Sequence, residues 1–372
     1  MKRAVITATG LWVPKERISN EELVTCFNTW VDTWNAEHAN EIAEGSVEPK
    51  EPSDAEFIEN ASGIRHRYVV NKQSLLDPKI MAPRLPERRN EDLSLQAEVA
   101  VAAARQALEN VGRSAAEIDA VICSCSTLER SYPAIAIEVQ NALGVSGLAF
   151  DMSVGCASAL YGLQMAQNLI AMGQATRALV VNPEICTGHI DYRDRESHFI
   201  FGDACTAIIV EEAAPDTDGW EIVSTKLVSK FSNNIRNNFG YLNRATPETQ
   251  NASDKLMKQK GRKVFREVVP IVTELMQGQL EQAGVSADKL RRLWLHQANA
   301  KMNRLIASRV LEREPNEDLS PTVLGEYGNT SSAGSIMAFH MTRDDLEPGD
   351  VGLICAFGAG YAAGAAVLKK TS

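Results

Sequence analysis

The chain repeats itself, and that restricts its fold more than any other feature. Residues 108–124, LENVGRSAAEIDAVICS, align without a gap with residues 280–296, LEQAGVSADKLRRLWLH. Both read as a helix end, a glycine stop, a Ser-led turn and a strand. Each half also closes alike: FGDACTAIIVEE (201–212) and FGAGYAAGAAVLKK (357–370) set a glycine turn before an apolar final strand. The order long helix, strand, helix, strand, glycine turn, strand therefore occurs twice, which is the mark of a duplicated unit. Chance similarity of two α/β segments is the alternative, and the shared order weighs against it. The acidic, Pro-containing stretch Ala213–Asp218 is the natural seam, giving halves 1–214 and 215–372.

Short apolar runs alternate with helical periodicity throughout. Strands are expected at Ala4–Ile6, Ala120–Cys125, Gly147–Met152, Ala178–Val181, Ala207–Glu211, Arg292–His296, Val351–Phe357 and Gly364–Lys369. Helices are expected at Leu93–Val111, Ala157–Met172, Lys260–Ala283, Ala298–Leu311 and Ser332–Met341. This alternation predicts an α/β protein with buried sheets. Two segments do not fit the repeat: Asn28–Asp54, polar and acidic, and Lys72–Glu91, with Pro78, Pro83 and Pro86. Both read as insertions that cover something, or as surface loops that pack on the body.

Composition removes several function classes. With 38 basic and 48 acidic residues the net charge is −10, the wrong sign for a general nucleic-acid binder. The opening MKRAVITATGLWVPKER is interrupted by Thr7, Thr9 and Gly10, unlike a secretory signal. No run approaches the ~20 apolar residues of a membrane span, so a cytoplasmic protein without membrane contact is expected. Seven cysteines, an odd number with no CxxC, suggest neither a disulfide frame nor a metal site. All except Cys156 sit as buried reduced thiols would.

Four pieces carry chemistry. In DMSVGCASALYG (151–162) a strand meets a tight turn and then a helix, placing Cys156 at or near a helix N-terminus. The dipole there favours a thiolate with a lowered pKa, although a small buried residue in a turn fits the segment equally well. WLHQAN (294–299) puts His296 at a strand end entering a helix, where α/β proteins place functional groups, though a core histidine is the common case. EYGNTSSAGS (326–335) offers Asn329, which is also a plausible N-cap. CAFGAGYAAG (355–364) can bring backbone amides against a ligand oxygen, and it lacks the features of a dinucleotide loop. Together they supply a nucleophile, two polarising donors and an oxyanion hole. Papain-like proteases share the Cys, His, Asn order, but their signature around the Cys is missing and the duplication has no place in that fold.

A second family fits better. GIRHRYVV (63–70), YPAIAIEVQNALG (132–144), FDMSVGCASALYG (150–162), FIFGDACTA (199–207), HQAN (296–299), GNTSSA (328–333) and FGAGY (357–361) resemble, in order, the motifs of β-ketoacyl-acyl-carrier-protein synthase III, a thiolase-like condensing enzyme. The resemblance covers most of the chain apart from the two insertions. It implies a thiolase-like fold of two duplicated βαβαβαββ halves in a five-layer α/β/α/β/α stack. It implies Cys156 as acyl-accepting nucleophile and His296 with Asn329 as the pair binding the thioester oxygen during malonyl decarboxylation. The amides of Cys156 and Ala359 become the oxyanion hole. Asn as third residue matches the synthase III branch or the plant-type polyketide synthases, and GNTSSA with HQAN favours the former.

The implied reaction joins an acyl thioester, expected as a medium- or long-chain acyl-CoA, to malonyl-acyl-carrier protein, giving β-ketoacyl-acyl-carrier protein. Coenzyme A enters as a substrate thioester, and no cofactor is implied. Substrate binding is assigned by resemblance to Phe57, Arg195, Asn299 and Tyr132. Tyr132 would reach across a homodimer to floor the acyl pocket. Phe57 and Ala61 stand where the family often has Trp and Arg around the adenine. Glu326 and Tyr327 replace commonly basic or His residues. A basic cluster, Lys255 to Arg266, and the pair Lys301 and Arg304 stand out in an acidic chain. Arg262, Arg266, Lys301 and Arg304 match the rim that receives the acidic carrier protein, while a solvated helix face is the plain alternative. A non-decarboxylating condensing enzyme, an acyltransferase or a silent binding partner remains open, and the intact Cys, His and Asn set disfavours the last.

Overall fold

The computed structural model describes residues 2–371. In chain order its elements are β1 (Ala4–Trp12), β2 (Glu16–Ser19), α1 (Asn20–Glu37), α2 (Ala39–Ala43), α3 (Ala55–Ser62), β3 (His66–Val69), α4 (Lys72–Leu75) and α5 (Leu95–Val111). There follow β4 (Ala120–Ser124), α6 (Ile135–Leu143), β5 (Leu148–Met152), α7 (Ser158–Ala171), β6 (Arg177–Glu184) and β7 (Ala204–Glu212). Then come β8 (Trp220–Ser229), β9 (Ile235–Arg236), β10 (Lys258–Gln259) and α8 (Gly261–Ala283). The chain ends with β11 (Leu290–Leu295), α9 (Ala300–Leu311), α10 (Leu324–Tyr327), α11 (Ala333–Thr342), β12 (Val351–Gly358) and β13 (Ala362–Lys370).

Nine strands form one mixed sheet in the order β11-β12-β13-β8-β1-β7-β6-β4-β5. Outward from β1 the pairings are antiparallel to β7, antiparallel to β6 and parallel to β4, with β5 as parallel edge. Outward from β8 they are antiparallel to β13, antiparallel to β12 and parallel to β11. The same pairing order thus runs in both directions. Among the described residues the two runs pair only where β1 touches β8, through Val5 with Glu221 and Ile6 with Trp220.

Strand periodicity sorts the side chains into layers. Ala120, Ile122, Val180 and Ile208 on one run, and Ile354, Ala356 and Leu368 on the other, face a shared core with α7 and α11 between them. Val121, Cys123, Leu179 and Ile209 point away onto α5 and α6. Leu353, Cys355, Phe357 and Val367 point away onto α8 and α9. The result is the five-layer thiolase-like stack. Of the middle helices, α11 is buried without a break from Ala333 to Phe339, whereas α7 buries Leu160, Leu163, Ala166 and Ile170 and keeps Asn168 exposed. The outer α8 buries only one stripe, including Val268, Val272, Leu275 and Met276.

The expected strands and helices are all present: β1, β6, β7, β11, β12 and β13 are longer than expected, while β4, β5 and most of the helices end within two residues of their expected bounds. Elements outside the expected set include β8, α6 and α1. Helix α1 starts with a capping box, Ser19 with Glu22, and runs through the first ten residues of the segment 28–54. Its Leu23, Cys26, Phe27 and Val31 pack with Ile58, Leu75, Met81, Tyr192 and Phe199 in a satellite core. Trp34 stacks on His38 at 4.1 Å, under the Lys50 ammonium. The apolar residues of segment 28–54 therefore hold it to the body.

Candidate active site

Beyond β5 the chain turns sharply through Ser153, Val154 and Gly155 into Cys156. Gly155 has φ +55°, a conformation that favours glycine. The Ser158 hydroxyl accepts from the Val154 amide at 2.8 Å and fixes the elbow. The FGAG segment, which begins at the end of β12, closes against it. A Cβ added to Gly358 would stand 2.7 Å from Cys156 Cβ and 3.1 Å from its Sγ, so only glycine fits. The Ala359 amide nitrogen lies 3.5 Å from where a Cβ on Gly155 would be, beside the elbow.

His296 follows β11. Its amide donates to Cys355 O at 2.8 Å, its carbonyl accepts from Asn303 Nδ2 at 2.8 Å, and its ring meets Phe357 edge-on at 5.1 Å. Burial pushes the imidazole pKa down to about 4, so the ring is neutral at physiological pH. Asn329 sits between α10 and α11. Its amide donates to Ile200 O at 2.9 Å and its carbonyl accepts from Gly202 N at 3.1 Å, tying it to the FIFGD segment of the other half. Asn329 Oδ1 accepts from the Ser331 amide at 2.9 Å. That bond fixes which end of the carboxamide is oxygen and leaves Nδ2 as the end that can donate.

Cys156, His296, Asn329 and Ala359, drawn from both halves, line one cavity of about 510 Å³. A smaller cavity of about 160 Å³ lies on another side of Cys156, bounded by Gly155, Ser331 and Ala359 and by Thr127, Cys186 and His189. Two neutral donors and backbone amides around a thiol can bind a thioester oxygen without placing a strong acid beside a carbanion. The thiol itself departs from the lowered pKa expected from the helix dipole. Burial pushes Cys156 up to about 11, outweighing the neighbouring Ser331 hydroxyl, which acts in the opposite direction. The resting group is a thiol. The other six cysteines are buried and unpaired.

Glu184, at the end of β6, was not anticipated. It is fully buried and accepts from the Ser126 amide and hydroxyl and from the Ser332 amide and hydroxyl. It thereby clamps the loop after β4 to the loop carrying Asn329. Burial raises its pKa, while the serine hydrogen bonds oppose that rise. A lone Glu closing the apolar run ALVVNPE is the only local sign of it. The segment between β8 and α8 supplies Ile235 and Met257 to both cavities, and it too lacked a signal beyond its charges.

The remaining residues divide. Phe57, on α3, lines the larger cavity with the Arg195 guanidinium 4.2 Å from its ring centroid, and Arg195 Nε donates to Pro52 O at 2.7 Å. Asn299 lines the same cavity, but its side chain is engaged: Oδ1 caps α9 through Lys301 N and Met302 N, and Nδ2 donates to Ala61 O. Tyr132 lies outside both cavities and is 85% exposed. Arg262 lines the mouth of the larger cavity, and Arg266 and Lys301 are exposed without an acidic partner within 4.0 Å among the described residues. Arg304 instead pairs with Glu314 at 2.8 Å, and Lys258 of the cluster pairs with Asp191 at 3.1 Å. Glu326 has a structural explanation, since Arg17, His66 and Tyr68 all hold it. Neither insertion lines the larger cavity. No described helix is long and apolar enough to cross a membrane.

Comparison with known proteins agrees with this geometry. The family model described as 3-oxoacyl-[acyl-carrier-protein] synthase III matches residues 150–230, and that for its C-terminal part matches residues 280–370. The beta-ketodecanoyl-[acyl-carrier-protein] synthase of Pseudomonas aeruginosa is 53% identical over 346 residues, covering 92% of this chain and 99% of the relative. The beta-ketoacyl-[acyl-carrier-protein] synthase III of Erythrobacter litoralis is 29% identical, covering 99% and 100%. The crystal structure of 3-oxoacyl-[acyl-carrier-protein] synthase III from Aquifex aeolicus superposes with a TM-score of 0.74 at 25% identity, covering 98% of this chain and 99% of the other. The priming β-ketosynthase of the R1128 polyketide pathway gives 0.77 at 25% identity, covering 100% and 97%. With a relative this similar along nearly its full length, and a cavity that gathers the expected side chains from both halves, the chain belongs to the 3-oxoacyl-[acyl-carrier-protein] synthase III family of fatty-acid condensing enzymes.

Proposed function

We propose that the enzyme joins a medium-chain acyl-CoA to malonyl-acyl-carrier protein with loss of CO₂. The observation that carries this reading is the single cavity holding the Cys156 thiol, a neutral His296 and the free amide end of Asn329. In the first step Cys156 Sγ attacks the thioester carbonyl, the thiol proton leaves with coenzyme A as its free thiol, and the amides of Cys156 and Ala359 receive the oxyanion. In the second, the malonyl carboxylate departs as CO₂ and its bonding pair forms an enolate, whose oxygen accepts from His296 and Asn329. The carbanion carbon then attacks the acyl-Cys156 carbonyl, the carbon–sulfur bond breaks with its pair on Cys156 Sγ, the thiolate takes a proton from solvent, and a β-ketoacyl-carrier protein is left. Neutral donors suit this step, because an imidazolium would protonate the carbanion.

Chain length follows from carbon arithmetic. The Pseudomonas relative is named for a β-ketodecanoyl product, and decarboxylative condensation adds two carbons, so its primer has eight. An octanoyl thioester is the corresponding primer here. Phe57 and Arg195 lie where the nucleotide end of coenzyme A would rest. Arg262, Arg266 and Lys301, none of which has an acidic partner within 4.0 Å among the described residues, are the charges offered to the carrier protein. A homodimer would cover Tyr132. The test is intact mass after exposure to acyl-CoAs of increasing length, followed by malonyl-carrier protein with labelled carboxyl. An acyl adduct on Cys156 and stoichiometric CO₂ release support the reading. Lack of an adduct at any length, or an adduct that turns over without CO₂, overturns it.

A further inference from the structure

We infer that the distal end of the primer chain leaves the small cavity at Cys156 past His189 and lodges in a second chamber lined by residues of the segment 85–92. The inference deepens the reading above and rests on it.

The small cavity, about 160 Å³, is bounded away from Cys156 by Thr127 and His189. The same two residues line a chamber of about 520 Å³ on their far side. These two side chains are what the spaces share. His189 is suited to stand between them: its backbone carbonyl is held by Met257 N at 2.8 Å, while its ring is exposed and makes no side-chain hydrogen bond among the described residues. A ring held only by its backbone can turn aside for a chain.

The chamber's chemistry selects its occupant. Leu85, Pro86, Leu95, Leu128 and Ile185 contribute apolar wall, beside the polar Glu87, Asn90, Ser94, Gln96 and Glu129, of which Ser94, Gln96 and Glu129 are already hydrogen-bonded within the protein. Three arginines also line it, which at first suggests an anionic chain end. Each is already paired. Arg88 meets Glu98 at 2.6 Å and Leu93 O at 2.9 Å, Arg89 meets both oxygens of Asp92, and Arg130 meets Glu138. With their charges matched locally, they offer the chamber their methylene stems. The fit is to an unsubstituted alkyl tail. Segment 28–54 takes no part, so the two insertions differ in role: only the second lines a space that adjoins the small cavity at Cys156.

Burying a methylene is worth about fourfold in affinity. Acylation by acyl-CoAs from acetyl to tetradecanoyl is to be measured by single-turnover mass analysis on the wild type, His189→Trp and Leu128→Trp. The expected result is a wild-type preference climbing with length, and a fall of at least tenfold in the octanoyl-to-acetyl ratio in His189→Trp. Leu128→Trp, further out, lowers the tetradecanoyl-to-acetyl ratio more than the octanoyl ratio. Because the readout is a ratio, general misfolding does not mimic it. Unchanged ratios in both variants overturn the chamber. Faster acylation by a CoA thioester bearing a terminal carboxylate than by its alkyl equivalent overturns the alkyl assignment. Absence of any adduct in the wild type overturns instead the reaction on which the inference stands.

Discussion

Ser124 and His296 occupy the same position in the two aligned repeats, at the ends of β4 and β11. Their uses differ. The Ser124 hydroxyl donates to Ser158 O and its carbonyl accepts from Asn182 Nδ2, so its polar groups brace the start of α7. His296 keeps its backbone bonded in the same manner but turns its ring into the cavity. The helices that follow show a parallel division, with Cys156 before α7 and Asn329 before α11. A duplicated frame thus supplies two sets of strand ends and helix starts. The proposed nucleophile comes from one set and both side chains proposed to bind the oxygen from the other.

The sharpest break of that division is Cys156→Ser. A hydroxyl is a weaker nucleophile than a thiol, so the acyl adduct should disappear from the mass spectrum. pH separates the halves without mutation. The thiol pKa near 11 makes wild-type acylation rise about tenfold per pH unit across the neutral range, as thiolate accumulates. The imidazole gains charge only as pH falls toward about 4, so CO₂ release in the pre-acylated enzyme should stay level from pH 6 to 9. Parallel pH profiles for the two steps would contradict the division.

His296→Ala and Asn329→Ala should acylate yet lose CO₂ release by on the order of 10²–10³, the usual effect of one missing oxyanion donor. Labelled malonyl-carrier protein measures it. Glu184→Gln should act more mildly and on both halves at once. An amide cannot accept from two serine amides and two hydroxyls as a carboxylate does. Stability in urea should fall by about 1–3 kcal/mol, and CO₂ release should drop more than acylation. The smallest effect is expected at the rim. Arg266→Glu and Lys301→Glu should weaken use of malonyl-carrier protein several-fold, as added salt does, and leave acylation by acyl-CoA nearly intact.

The repeat made the sheet frame legible before any coordinates, because buried strands and middle helices leave long apolar runs. Strand β8 escaped because Trp220 and Ile222 are its only fully buried residues, and the rest alternates weakly. Helix α1 escaped although its capping signal was present, since the polar residues from Asn28 onward resembled a loop. Cys156, His296 and Asn329 were legible as motifs at element ends. Their surroundings were not. The dominance of burial over the helix dipole at Cys156 depends on β12 closing over it. Glu184 finds its serine partners 58 and 148 positions away, and no local pattern encodes such a pairing. Asn299 does line the larger cavity, but nothing in HQAN signals that its side chain also caps α9 through Lys301 and Met302.

Among the described residues the two strand runs join through only two residue pairs, between β1 and β8. The catalytic loops add their own cross-links, Asn329 to Ile200 and Gly202, and Ser332 to Glu184. Turnover is therefore a gauge of how well the halves are docked. A loosening confined to this seam would leave most helices and strands intact, and circular dichroism would hardly register it. Amide exchange at Gly202 and Asn329 would quicken together, and the enzyme would fall silent well before it unfolds.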